Sequence, residues 1–191
     1  HPTINHSKTI DGKETGGFES HLAGLLAGRK YYARAYATNN TGTGYGDTIS
    51  FRTLAVLPVV TTDSISVITA SSAQSGGLVS LDGGTAVTAR GVCWDTIPNP
   101  TIDDHATDNG SGLGSFSSDI NGLRANATYY VRAYATNEVG TAYGNQQKFT
   151  TSDGTIDLTT AEVNGITAIS AISGGNISDD GGSAILFRGV C

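Results

Sequence analysis

The chain repeats itself at an offset of 98 residues, without a gap. Tyr31-Tyr32-Ala33-Arg34-Ala35-Tyr36-Ala37-Thr38-Asn39 returns as Tyr129-Tyr130-Val131-Arg132-Ala133-Tyr134-Ala135-Thr136-Asn137. The same offset carries Gly76-Gly77 to Gly174-Gly175, Asp82-Gly83-Gly84 to Asp180-Gly181-Gly182, and Arg90-Gly91-Val92-Cys93 to Arg188-Gly189-Val190-Cys191. Laid over residues 99–191, residues 1–93 match at roughly half of the positions. A period of about 100 residues is too long for a solenoid unit and is the size of one autonomous domain. The chain therefore reads as a slice through an array: the C-terminal half of one module at 1–53, a complete module at 54–152, and the N-terminal half of a further module at 153–191. A half module leaves its inner face uncovered. The two halves are complementary, so neighbouring copies are expected to complete each other head to tail.

The local pattern is β throughout. Apolar residues never hold helical spacing over a long window, and the 26 glycines interrupt the chain too often for long helices. Alternation is clear instead. One face of 129–135 reads Tyr129, Val131, Ala133, Ala135, and the other reads Tyr130, Arg132, Tyr134. Further strands are expected at 59–62, 75–80, 87–94, 115–120 and 146–151, separated by turn clusters at 81–84, 109–112, 121–122 and 138–140. About seven short strands per module, with turns every 8–12 residues, predict all-β tandem sandwiches of the fibronectin III/immunoglobulin-like kind.

One spacing sharpens this. Leu25 precedes Tyr31, and Leu123 precedes Tyr129, by six residues, and each Tyr opens the alternating strand. The arrangement resembles the tyrosine corner of fibronectin type III domains, in which the hydroxyl caps backbone at a sheet crossover. The wider set of motifs is Arg90-Gly91-Val92-Cys93-Trp94, Pro98-Asn99-Pro100-Thr101, Gly114-Ser115-Phe116, Asn121-Gly122-Leu123, 128–137 and Gly140-Thr141-Ala142-Tyr143-Gly144-Asn145. Together they resemble the fibronectin-III-like repeats of Bacteroidota surface and secreted proteins, over essentially the whole chain. That resemblance implies stalks and spacers in adhesins, surface filaments or multidomain secreted enzymes. It also draws notice to Asp47-Thr48-Ile49, Asp63-Ser64-Ile65 and Asp95-Thr96-Ile97. These resemble the Asp-[Ser/Thr]-apolar acceptor for O-glycosylation in that group, making Thr48, Ser64 and Thr96 candidate sites, with turn-starting Asp as the plain alternative.

Charge and composition narrow the partners. A formal charge of −6 offers no basic face for nucleic acid. No apolar run approaches the ~20 residues a membrane helix needs. Sparse charge (15%) with abundant Gly, Ser and Thr fits an extracellular or cell-surface location. Cys93 and Cys191 occupy one site in successive modules, too far apart for a disulfide, and read as small buried hydrophobes or as interchain thiols.

Chemistry-bearing patterns are few. His1, His6, His21 and His105 face Asn99, Asp104, Asp119 and Ser7 across the repeat, so no histidine site recurs, and no catalytic residues are expected. The Gly-rich strings 42–46 and 110–114 resemble phosphate loops but are followed by strands rather than helix starts. Asp103, Asp104 and Asp108, with Asn109, form the one metal candidate: four oxygen donors within seven residues read first as a solvated loop, with a weak Ca²⁺ site as the alternative. The row Tyr130, Arg132, Tyr134 fits two descriptions, cross-strand packing or a contact surface for sugar or a neighbouring chain. These readings leave a structural or adhesive surface array ahead of a glycan-binding spacer of a secreted carbohydrate-active enzyme. The array would engage neighbouring copies, surface glycans or a host surface.

Overall fold

A computed structural model of the chain describes residues 1–182 and 184–191. Every regular element among them is a strand. The opening segment holds β1 (Lys30–Ala33), β2 (Tyr36–Asn39), β3 (Gly42–Tyr45) and β4 (Ile49–Arg52). The middle holds β5 (Val59–Thr62), β6 (Ser72–Leu81), β7 (Ala89–Asp95), β8 (His105–Ala106), β9 (Gly114–Asn121), β10 (Thr128–Asn137), β11 (Gly140–Tyr143) and β12 (Gln147–Thr150). The closing segment holds β13 (Asp157–Thr160) and β14 (Gly175–Asp179).

The middle strands form a complete sandwich. One sheet runs β5-β6-β9; the other runs β8-β7-β10-β11, with β12 also on β10, and all pairs are antiparallel. Alternation along β10 buries Tyr129, Val131, Ala133 and Ala135 between the sheets. Val131 joins Ala73, Val92, Trp94, Ile120, Leu123, Tyr129 and Phe149 in the main core cluster. Ala133 and Ala135 pack with Val60, Val79 and Val87 in a second. Ala133 is small for a reason. A Cβ on Gly77 would lie 2.7 Å from that of Ala133, so the sheets meet closely there, and only a Gly facing an Ala fits.

β5 also reaches across to the second sheet. The Ala133 amide donates to Thr62 Oγ1 at 2.9 Å, and the Thr62 amide donates to Asn145 Oδ1 at 3.0 Å. This bridge occupies the gap between β11 and β12, where Gly144 sits against Thr62 with no room for a Cβ. The last strand of the sandwich is therefore delivered in two pieces.

The flanking segments keep only local hairpins and pairs. β1 pairs with β4, β2 with β3, and β13 with β14. Residues 16–23, which match β9, and 187–191, which match β7, are not strands. Their pairing partners in the complete module, β6 and β10, have no counterpart within the same segment.

Candidate functional site

The expected Tyr–Arg row is the natural place to look for a binding face, and the structure divides it. Tyr134 is only 6% exposed, and its hydroxyl donates to the Thr107 carbonyl at 2.7 Å. Burial, followed by the nearby Asp108 carboxylate, raises its hydroxyl pKa. Tyr134 therefore cannot belong to an outward contact surface: residues 105–109, folded against β7, cover it. Arg132 is half-buried, donates Nε to the Gly144 carbonyl at 3.2 Å and lies 4.6 Å over the Tyr143 ring. The Tyr143 hydroxyl in turn accepts the Ile102 amide at 3.2 Å, pinning the 98–102 loop. Tyr130 remains half-exposed, with the Lys148 ammonium 5.9 Å over its ring.

The first copy repeats the aromatic and hydroxyl contacts, but Arg34 Nε, the counterpart of the Arg132 atom bonded to Gly144, is buried without a hydrogen-bond partner among the described residues, and Lys148 has Ser50 as its counterpart. Arg34 lies 4.1 Å over Tyr45, whose hydroxyl accepts the Ile4 amide at 3.2 Å, and Tyr36 donates to the Thr9 carbonyl at 2.6 Å. Lys30 sits 5.1 Å over Tyr32. The contacts that recur, Arg over Tyr and two tyrosine hydroxyls on loop backbone, hold loops onto a sheet.

The two corner tyrosines make matching contacts. Tyr129 Oη accepts the Arg124 amide at 3.0 Å, and Tyr31 Oη accepts the Leu26 amide at 2.8 Å. Their rings stack on Phe149 and Phe51, each at 5.8 Å between centroids. Thr151 and Thr53 close the same loops from the other side, each hydroxyl donating at 2.6 Å to the carbonyl of Arg124 and Leu26 respectively.

The acidic loop does not gather a cation site. Asp104 Oδ2 accepts the Thr101 amide at 2.9 Å, Asp108 Oδ1 accepts the Gly110 amide at 2.9 Å, and Asp103 points to solvent from its own turn. Asn109 turns inward, where its Oδ1 accepts from both Thr107 Oγ1 and Ser118 Oγ at 2.8 Å. Among the described residues no three His, Cys, Asp or Glu side chains converge as metal ligands. Asp104 and Asp108 each cap a turn, which is what short Asp side chains do in loops.

Of the hydroxyl acceptors, Ser64 and Thr96 are exposed, whereas Thr48 is half-buried and bonded to His1 Nδ1 at 2.9 Å. Ser64 lies in a shallow polar recess with Asp63, Ser66, Gln74 and Ser117. Cys93 is fully buried, its thiol directed at the Pro100 and Arg132 carbonyls, and desolvation pushes it up to about 11. Cys191 is exposed.

Two organising residues escaped sequence reasoning. Arg90 donates Nη1 to the Leu113 and Gly114 carbonyls at 2.9 and 3.2 Å and lies over the Phe116 ring, so it shapes the Gly-rich 109–114 loop. Asn137 donates Nδ2 to the Val56 and Asp82 carbonyls at 2.8 and 2.9 Å while buried at 4% exposure. The recurrence of both residues, as Arg188 and Asn39, was the available signal.

No family model matches the chain, and no curated protein matches it. Among solved structures, domains d3–d4 of the rat CD45 extracellular region align at 14% identity and a TM-score of 0.51, covering 79% of this chain and 82% of theirs. The sensor domain of the anti-sigma factor RsgI4 from Pseudobacteroides cellulosolvens aligns at 21% identity, with a TM-score of 0.38 over 50% of this chain and 95% of that one. A multidomain stretch of titin aligns at 17% identity and a TM-score of 0.39, over 63% and 40%. The likeness to CD45 concerns fold alone. With the strand order above, it makes this chain an all-β protein of immunoglobulin/fibronectin III-like sandwich architecture.

Proposed function

We propose that the chain is a structural and adhesive repeat segment of an extracellular bacterial surface protein, in which sandwiches strung head to tail build an extended stalk. The observation that carries this reading is the doubled loop-holding network. Arg34–Tyr45–Ile4 and Arg132–Tyr143–Ile102 spend the same side chains on the same internal bonds. Repeating a scaffold whose side chains hold its own loops supplies length, whereas repeating a ligand site would leave polar groups facing outward. The short 53–58 and 151–156 connections support it too, because brief links between sandwiches limit bending. Exposed Ser64 and Thr96 suit glycan attachment, which would shield strand edges from pairing and proteolysis.

Electron microscopy of material purified from its source, with intact-mass spectrometry, tests this reading. Fibres with an axial repeat of one module length support it. Discrete particles carrying a larger enzymatic domain replace it with the spacer role. Excess mass in sugar-sized steps identifies the glycan.

A further inference from the structure

The Asp-Gly-Gly turn occurs at 82–84 in the complete module and again at 180–182 in the closing segment. Asp82 Oδ1 accepts the Gly84 amide at 2.8 Å, closing a turn in which Gly83 and Gly84 both hold positive φ, 74° and 91°. Beyond that local demand, the missing Cβ atoms let the turn approach other backbone closely. A Cβ on Gly84 would fall on the Ala27 carbonyl, one on Gly83 on the Val56 carbonyl, and one on Gly28 on the Gly84 carbonyl. Backbone meets backbone here, across the boundary between the first and second modules. The linker is bonded to each side: the Gly28 amide donates to the Leu54 carbonyl at 3.0 Å, and within the second module the Val56 amide donates to the Gly83 carbonyl at 2.9 Å. Asn137 ties the Val56 and Asp82 carbonyls together from the far side.

We infer that the Asp-Gly-Gly turn is a docking surface whose partner is the tyrosine-corner loop of the preceding module, and that the residue at position 28 of that loop selects the seating. The corner supplies the rigid half of the joint, because Tyr31 and Thr53 fix the Leu26 amide and carbonyl immediately before Ala27 and Gly28. The second boundary shows the alternative seating. There the counterpart of Gly28 is Asn126, which holds the same left-handed backbone (φ 51° against 62°) but carries a Cβ. Its amide still donates to the linker carbonyl, at Ser152. The Gly181-Gly182 turn instead rests on the linker and on Thr69, with Ser152 Oγ donating to the Gly181 carbonyl at 2.7 Å. One loop position thus separates a turn seated on the corner from a turn seated beside it. The inference stands apart from the surface-stalk reading, since it concerns contacts within this chain wherever the protein resides.

NMR of the full 191-residue chain tests it, with emission from Trp94, the single tryptophan, reporting the central core. Expected are cross-relaxation between the Gly28 and Gly84 α-protons and slow exchange of the Val56 amide. Gly28→Asn adds the Cβ without leaving the left-handed region, which Asn tolerates. It should erase the proton contact and speed Val56 exchange about tenfold, the loss of roughly one hydrogen bond, with Trp94 emission unchanged. Should that variant unfold the first segment, Asn137→Ala releases the joint from the other side. It should give the same Val56 acceleration while the Leu26 amide, held by Tyr31, stays protected. An unprotected Val56 amide in the unaltered chain, or protection that survives both substitutions, overturns the inference.

Discussion

Almost the same nine residues occur twice and fold differently. In the complete module they lie within one ten-residue strand, β10, with Ala133 and Ala135 fully buried. In the opening segment they break into β1 and β2, and Ala35 and Ala37 stand exposed. The difference lies in what flanks them. In the complete module β7 pairs with β10 from Tyr130 to Thr136, spanning the point where β11 and β12 separate. The first copy has its hairpin partners, β3 and β4, but no counterpart of β7, and its strand parts at the same point. Propensity proposes a strand; a continuous neighbour makes it one.

The comparison is broken most forcefully in the core. Ile120 is fully buried, whereas its counterpart Leu22 is 45% exposed. Ile120→Ala should cost about 2–5 kcal/mol through lost transfer energy and a residual cavity. Leu22→Ala should stay within roughly 0.5 kcal/mol, as surface changes do. Urea denaturation followed at Trp94 reads both. Equal effects would mean that the opening segment has a core of its own. Overpacking gives a second contrast. Ala133→Leu drives methyl groups into the close approach with Gly77 and should cost about 1–3 kcal/mol. Ala35→Leu, on an open face, should leave Trp94 unfolding unmoved.

How much of this was legible beforehand follows the same line. Residues 115–120 and 129–135 announce strands because one face of each must be buried, and period-2 alternation records that demand. β8 left no such trace: His105 and Ala106 are both exposed, and the strand is only a short rail along β7. β11 was hidden because Gly140-Thr141-Ala142-Tyr143 is half-buried along its whole length and follows a turn. Residues 16–23 repeat the sequence of β9 yet form no strand, because the strand that pairs with β9 has no counterpart in that segment. For the candidate sites, spacing placed Tyr129 and Tyr31 against their loops. It could not reveal that Tyr134 would be roofed by residues 105–109, or that Asp104 and Asp108 would each cap a separate turn, because those are facts of tertiary approach. The Gly28–Gly84 contact is of the same kind.

Smaller effects sharpen the comparison at the corners. Tyr129→Phe keeps the ring on Phe149 but strands the Arg124 amide, and should cost about 1 kcal/mol. Tyr31→Phe should cost the central module nothing, while it speeds exchange of the Leu26 amide. A corner that stabilised both segments equally would show the same urea midpoint shift for each variant.

The two cysteines give the finest test, one that is silent at neutral pH. They hold the same place in the repeat, yet Cys93 is fully buried and Cys191 is exposed. Desolvation raises the Cys93 thiol from its ordinary 9.0 to about 11, against a weaker opposing pull from Arg132. The folded chain therefore holds that proton more tightly than the unfolded chain. This contribution to stability is complete below pH 9 and is lost as pH climbs from 9 to 11, where the unfolded state gains by ionising first. Cys93→Ala should flatten that alkaline decline, and Cys191→Ala should not. Thiol titration at pH 8 should find Cys191 reacting at once and Cys93 only as fast as the module opens. Prompt reaction of both would mean that the roof formed by Pro100 and the Arg132 carbonyl lifts readily. The complete module would then share the openness of its flanking segments, and the contrast between the two nonapeptides would be one of degree.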